Sequence, residues 1–178
     1  AFRYAPWLVA NLHLAGPAPE GVGAPVAWDN VLYESESLGY VVATHQSLRM
    51  HQGDTVLTYY RPFARRDPAD VRRELASLAW GEQKDRILAD LSRAHPDLAH
   101  QVRRLDVMLY GHAMVRPEVG FVCGPALRAA GEALAGPVHL AHSDLSGFSL
   151  FEEAYTRGSR AADRVLARLG KPGRKAVR

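Results

Sequence analysis

The chain has 178 residues, 47% of them hydrophobic, with 22 Lys and Arg against 19 Asp and Glu and a single cysteine. This length suits one domain or two interleaved lobes. The composition excludes collagen and a disulfide or thiolate–metal framework, and it does not suggest disorder. No segment approaches the roughly 20 apolar residues of a membrane span, and the first residues lack a signal-peptide pattern. With Cys123 alone, a reducing compartment, the cytoplasm, is expected.

The first third of the sequence predicts short strands. In some segments apolar residues alternate with polar ones, and in others Val, Tyr, Thr and Leu are clustered. The predicted strands cover residues 7–14, 28–33, 38–45 and 55–60. A Gly- and Pro-rich loop and polar turns separate them. Because the connections are short, antiparallel pairing is the simplest topology.

The rest of the sequence is predominantly helical in pattern. Asp67-Pro68 places a side-chain cap before a proline at the first helical position, so a helix begins there and runs to about Leu78. Further helices are predicted over 82–94, 125–134 and 150–169, with strands over 105–110 and 137–142. The fold class is therefore mixed α/β: an antiparallel or mixed sheet with helices, closed by a strand and a long helix.

The closing helix has two distinct stripes. The apolar stripe, predicted to face the core, contains Phe151, Ala154, Gly158, Ala162, Val165 and Leu169. The basic stripe, predicted to face solvent, contains Arg157, Arg160, Arg164 and Arg168. Four more basic residues form a tail over 171–178, and without them the chain carries a net charge of −1. Because no nucleic-acid recognition motif accompanies the charge, nucleic acid is an unfavoured partner.

The segment from Gly136 to Gly158 combines the features of a ligand site. The predicted strand over 137–142 brings Asp144 to its carboxyl end, and a helix begins near Ser149. Ligands of open α/β sheets bind beyond the carboxyl ends of strands, where the first helical N–H groups offer partial positive charge. Asp144 can accept a hydrogen bond from a sugar-like hydroxyl. In the alternative, Asp144 and Ser149 simply cap and start a helix.

This segment also resembles a known family. The run Val138-His-Leu-Ala-His-Ser-Asp144, then Phe151-Glu-Glu-Ala154, Gly158 and Ala161-Ala162, is similar to the C-terminal flavin-binding signature of FAD-dependent amine oxidases and phytoene-desaturase-like oxidoreductases. The resemblance implies that Asp144 contacts the ribityl–pyrophosphate region of FAD. It places Ser149, Leu150 and Phe151 in the helical turn beneath the isoalloxazine, and Gly158 where that helix packs closely. His142, one step away, is a further cofactor contact.

The resemblance extends over most of residues 4–169 and implies a domain organisation. Residues 1–120 would be part of a substrate-binding domain, residues 121–170 the last piece of a Rossmann-like FAD-binding domain, and 171–178 a basic tail. The stretch around Gly111-His-Ala-Met114 resembles the strand and loop that return to the flavin face. Tyr110 and His112 are therefore the candidate substrate residues.

Other aromatic and histidine residues have weaker functional signals. Trp7, Tyr40 and Tyr59 are secondary substrate candidates, with a core role as the alternative. His139 is predicted to be a hydrogen-bonded core histidine. The histidine spacings do not place a pair on one helical face, so no metal site is assigned.

Two departures from the family pattern limit what this chain is expected to do. The strand end Ala141-His-Ser-Asp144 is one residue longer than the usual Ala-Gly-Asp/Glu, and no Gly-x-Gly-x-x-Gly follows any predicted strand. That glycine turn is what lets a backbone and a helix N-terminus hold the pyrophosphate of FAD. The chain is therefore expected to need an N-terminal FAD-binding half or subunit and to be inactive by itself.

The expected function is part of an FAD-dependent oxidoreductase that transfers hydride from a C–H of a small molecule, an amine or similar, to flavin. One alternative is a non-catalytic partner or regulatory chain that keeps the fold. A weaker alternative is a nucleic-acid-associated α/β protein that uses the arginine stripe and the basic tail.

Overall fold

The computed structural model describes residues 2–18, 20, 23, 25–43, 53–132 and 136–171. In this part the chain is mixed α/β, as the sequence predicts, with a five-stranded antiparallel sheet in the order β2-β3-β4-β1-β5. The strands are β1 (Tyr4–Leu14), β2 (Asp29–Asn30), β3 (Tyr40–Val42), β4 (Thr55–Pro62) and β5 (Val102–Val115).

The described helices are α1 (Pro68–Ser77), α2 (Trp80–Leu91), α3 (Leu98–Gln101), α4 (Pro125–Gly131) and α5 (Phe151–Arg168), and a 3-10 helix covers Ser143–Ser146. The predicted start of α1 is confirmed, because Asp67 Oδ1 accepts from the N–H groups of Ala69 at 2.9 Å and Asp70 at 3.3 Å. The chain divides into two compact units. One contains residues 5–113, and the other contains the described residues of 2–4 and 114–171; the predicted boundary at residue 120 stays a prediction.

The core of the larger unit lies between the sheet and the helices α1 and α2. The predicted alternation along β1 is confirmed, since Leu8, Ala10, Leu12 and Leu14 are all buried. Antiparallel pairing sets Leu12 beside Leu57 of β4. The helices contribute Val71, Leu75, Ile87 and Leu91 to the same cluster. Each fully buried aliphatic side chain of this kind stabilises the fold by about 1.5–3 kcal/mol.

Two of the secondary aromatic candidates belong to this core. Tyr40 and Tyr59 are each 2% exposed. The Tyr40 hydroxyl lies 2.6 Å from Nε2 of the buried His95, and burial raises the pKa of Tyr40 and lowers that of His95. Trp7 stacks on Tyr60 with ring centroids 6.3 Å apart. The core role is thus the observed one for Tyr40 and Tyr59.

Several predicted strands differ from the observed ones. The strand over 28–33 is reduced to β2, and the strand over 38–45 to β3, with residues 44 and 45 outside the described part. The strand over 105–110 is longer, because pairing with β1 extends it to the whole of β5. The strand over 137–142 is not formed, since no backbone hydrogen bond joins residues 138–141 to any described residue.

Asp90 of α2 is a half-buried anchor for the turn that precedes β3. Its Oδ2 accepts hydrogen bonds from the hydroxyls of Ser35 at 2.7 Å, Ser37 at 3.0 Å and Tyr59 at 3.0 Å. The turn needs such support because Glu34 has a φ of 56°, in the left-handed region that side chains other than glycine rarely adopt. One carboxylate thus fixes a helix, a strand and a strained turn to each other.

We expect Asp90→Ala to lower the free energy of unfolding by about 1–3 kcal/mol, because three hydroxyls lose their shared acceptor. Asp85→Ala is the matched control on the same helix, since the Asp85 side chain is 73% exposed and that of Asp90 is 18% exposed. The free energy of unfolding of both variants is measured by urea denaturation. Equal stabilities for the two variants would contradict this role of Asp90.

Candidate functional site

Asp144 lies in the 3-10 helix, which packs against both α4 and α5 in the smaller unit. Its side chain is 18% exposed. Oδ2 accepts a hydrogen bond from the Tyr4 hydroxyl at 2.7 Å, and Oδ1 lies 3.2 Å from Nδ1 of His142. A carboxylate has about four acceptor positions, so these two neighbours leave Asp144 able to accept from a ligand hydroxyl.

His142 has two contacts that require opposite protonation of the same ring atom. Nδ1 accepts a hydrogen bond from the N–H of Asp144 at 3.1 Å, which caps the 3-10 helix and needs a lone pair on that nitrogen. The contact between Nδ1 and Oδ1 of Asp144 is attractive only when Nδ1 carries a proton. The two contacts are therefore alternatives, because one tautomer of His142 suits the amide and the other suits the carboxylate.

The helix α5 begins without a side-chain cap. Its N-cap residue, Leu150, has extended backbone angles, φ −119° and ψ 148°, and its C=O accepts the first helical hydrogen bond from Ala154 at 3.1 Å. The Ser149 hydroxyl instead accepts from the N–H of Val115 at 3.2 Å. Neither Asp144 nor Ser149 caps this helix, so the alternative in which they only serve as caps does not describe the structure.

The first turn of α5 suits a neutral ligand group with acceptor oxygens. Its N–H groups form the positive end of the helix dipole, and Glu152 and Glu153 already supply negative charge in that turn. A phosphate would be repelled by these carboxylates, whereas a carbonyl would not. Leu150 and Phe151 are 54% and 78% exposed, and Phe151 stacks on Tyr155 at 6.4 Å. Apolar surface is thus presented beside the uncapped N–H groups.

Two expectations for α5 and the segment before it require correction. A Cβ built on Gly158 meets nothing within 4 Å, so the described residues show no close packing that requires glycine there. Of the stripe predicted to be buried, five residues are exposed and Gly158 is half-buried, and Ala161 is the buried residue of the helix. The arginine stripe is exposed as predicted except for Arg157, whose Nε donates to the Ser146 hydroxyl at 2.8 Å.

The other predicted histidine of this segment is not in a core. His139 is only half-buried and makes no hydrogen bond with a described residue, because the strand expected to bury it is not formed. His142 is also accessible, with a side chain that is 69% exposed. Of the predicted cofactor residues, the structure brings together Asp144 and His142, and it places Ser149, Leu150 and Phe151 at the start of α5.

The candidate substrate residues, Tyr110 and His112, lie on β5 in the larger unit. Both side chains are exposed, and they project from the same face because two positions separate them along the strand. Between them, the carbonyl of Gly111 accepts a hydrogen bond from Arg72 Nη1 at 3.3 Å, and a Cβ at Gly111 would lie 3.2 Å from Arg72 Cδ. The arginine side chain packs directly on the strand at this glycine.

Sequence analysis missed the two residues that hold this site in place. Tyr4 is 140 positions from Asp144, and Val115 is 34 positions from Ser149. No local spacing connects such pairs. The available signal for Tyr4 was a strand near the start of the chain that begins with a hydroxyl-bearing side chain, and this pattern is common.

The described residues contain no group of three or more His, Cys, Asp or Glu residues arranged to hold a metal ion. No helix among them has the length and apolar character needed to cross a membrane.

Comparison with protein-family models, with curated proteins and with solved structures gave no match.

The Tyr4–Asp144 pair can be tested by titration. Burial, and then the hydrogen bond and charge of Asp144, raise the pKa of Tyr4 from 10 to about 12. Because the unfolded chain ionises this tyrosine first, its contribution to stability is complete below pH 10 and is lost as the pH rises toward 12. We expect the tyrosinate absorbance of Tyr4 to develop at a lower pH in Asp144→Ala.

The Tyr4 signal is obtained by subtracting the titration of Tyr4→Phe, since Tyr60 also titrates near pH 12. Asp163→Ala, which removes a different carboxylate, on α5, is the control variant. An unchanged Tyr4 titration in Asp144→Ala would show that the two side chains do not interact.

Proposed function

We propose that this chain is the C-terminal portion of an FAD-dependent oxidoreductase of the amine-oxidase type. It would transfer hydride from a C–H of a small-molecule substrate to flavin. The observation that carries the proposal is the uncapped start of α5, with Asp144 held in the adjacent 3-10 helix, in the segment whose sequence resembles the flavin-binding signature.

The residues present fit the flavin end of FAD. Asp144 has acceptor positions left after its bond to Tyr4, which suits a ribityl or ribose hydroxyl. The first-turn N–H groups of α5 suit a neutral carbonyl such as that of the pyrimidine ring, because Glu152 and Glu153 oppose an anion there. The exposed side chains of Leu150 and Phe151 offer the apolar surface that a planar ring needs.

The fit does not extend to the diphosphate. The sequence contains no Gly-x-Gly-x-x-Gly turn after a strand, so this chain does not supply the backbone cradle that such a group requires. A second polypeptide segment with that turn is therefore part of the proposal.

FAD, if held by these residues and by the second segment, would supply an acceptor for a hydride equivalent from a carbon next to an amine nitrogen. The residues of this chain would position the cofactor and the substrate and stabilise developing charge. Asp144 would fix the sugar-like chain, and the α5 N-terminus would stabilise negative charge that develops on a nearby oxygen. Tyr110 and His112, both accessible on β5, are the proposed contacts for the substrate.

The test is to co-express this chain with a polypeptide from the same source that carries a Gly-x-Gly-x-x-Gly turn after a strand, and to measure bound FAD by its visible absorbance. We expect a yellow complex. We expect Asp144→Asn to weaken FAD binding by about 10- to 150-fold, the equivalent of the roughly 1.5–3 kcal/mol of a hydrogen bond to a charged group.

Asp163→Asn removes the same charge from the body of α5 and is expected to leave FAD affinity within about twofold of the unchanged protein. A folded complex that remains colourless with added FAD would overturn the proposal. It would favour the alternative of a non-catalytic partner chain, which the exposed apolar stripe of α5 also fits.

A further inference from the structure

We propose that a groove in the larger unit binds the phosphate group of a small organic phosphate. The groove, called the phosphate groove below, is lined by residues 35–38, in the turn that precedes β3, and by residues 61–66, between the end of β4 and the start of α1. All of these residues belong to the larger unit, so the inference does not depend on the proposed function.

The two walls of the phosphate groove are fixed by the fold itself. The N–H of Leu38 donates to the carbonyl of Tyr60 at 3.0 Å, and the rest of that turn is anchored on Asp90. On the other wall, the N–H of Phe63 donates to the carbonyl of Pro6 at 2.9 Å, and the Phe63 ring is buried. The groove holds about 740 Å³ of empty space, part of it open to solvent, which is within the size range of small-molecule sites.

Positive charge predominates among the side chains that line the groove. Its basic residues are Arg61, Arg65 and Arg66, and its acidic residue is Glu36. Asp67, the next acidic residue along the chain, directs one carboxylate oxygen to the first N–H groups of α1. The lining therefore carries an excess of two positive charges.

The structure compensates this excess only in part. Arg65 is exposed and forms no ion pair with a described residue. Arg66 lies 2.7 Å from a carboxylate oxygen of Glu74, but the other oxygen of Glu74 lies 3.1 Å from Arg86. One negative charge is thus shared by two guanidinium groups, and an anion in the groove would face cations that are incompletely neutralised.

Arg61 is the most buried of the three cations. Its side chain is 25% exposed, and its Nε is buried without a hydrogen-bond partner among the described residues. The guanidinium lies over the ring of Phe63, 4.9 Å from the centroid, and pairs with Glu36, whose side chain is 81% exposed. An ion pair with a solvent-exposed carboxylate is weak, so the charge of Arg61 remains available to a second anion.

The arrangement favours a phosphate group over a carboxylate. A phosphate monoester carries nearly two negative charges at neutral pH and three acceptor oxygens, which matches an excess of two charges distributed over three side chains. A carboxylate has one charge and can be paired by a single guanidinium. Leu38, Pro62 and Phe63 also line the groove and supply apolar surface for the organic part of the ligand.

The first test titrates the 178-residue chain with phenyl phosphate at about pH 7 and follows the backbone amides by NMR. We expect saturable shifts, largest at residues 35–38 and 63–66, and a dissociation constant of about 1 mM or below. Benzoate keeps the ring with a single charge, and inorganic phosphate keeps the charge without the ring. Both are expected to bind at least about fivefold more weakly than phenyl phosphate.

The second test compares two arginine variants with phenyl phosphate as ligand. Arg65→Gln removes a charge from the groove and is expected to weaken binding by about tenfold, because a charge-assisted hydrogen bond is lost. Arg73→Gln is the matched control, since Arg73 lies on α1, is 76% exposed and does not line the groove. It is expected to change the affinity by less than about twofold. Both arginines are exposed, so both variants are expected to fold.

The inference would be overturned by the absence of saturable shifts, or by shifts confined to the basic tail over 171–178 or to α5. Equal losses of affinity in the two arginine variants would overturn it as well. So would benzoate or inorganic phosphate binding as tightly as phenyl phosphate. A colourless complex in the FAD experiment would overturn the proposed function and leave this site in place, because the site is tested on the chain alone.

Discussion

The hydrogen bond from the Tyr4 hydroxyl to Asp144 is the constraint on which the smaller unit depends. It joins the start of the chain to the short helix that precedes α5, across 140 residues of sequence. The backbone of Arg116 reinforces it by donating to the carbonyl of Arg3 at 2.8 Å, and Phe2 packs edge-on against Phe121 at 5.0 Å. The first residues of the chain thus hold the 3-10 helix in place, and the carboxylate that this helix carries keeps acceptor capacity for something else.

The amphipathic helix α5 illustrates how a correctly identified pattern can lead to a wrong prediction of which face is buried. Its apolar and basic stripes are on different sides, as predicted, but the apolar side is the uncovered one. Amphipathicity states that a helix has a face to bury and does not state which element buries it. In this chain Ser146 contacts the polar side of α5 by accepting a hydrogen bond from Arg157, and the buried residue of the helix is Ala161.

Much of the larger unit could be predicted from local sequence. The alternation in β1, the Asp67 cap and the proline at the start of α1 each depend on residues within a few positions of each other. Strand lengths were less predictable, because β5 is extended by pairing with β1 rather than by its own composition. The predicted strand over 137–142 has the right residues but pairs with no strand in the described part of the chain, a condition that sequence pattern does not reveal.

The residues of the candidate site could be predicted from the sequence, but the residues that contact them could not. Asp144 and the start of α5 followed from the strand–turn–helix pattern and the family resemblance, whereas the roles of Tyr4 and Val115 depend on tertiary contacts. The exposed apolar face of α5 has a consequence for the lifetime of the chain in a cell. Chaperones and proteases continuously sort proteins by the fraction that is unfolded, and differences of about 1–2 kcal/mol in stability change abundance several-fold. Any molecule that covers this face and stabilises the fold would therefore raise the amount of the chain that persists.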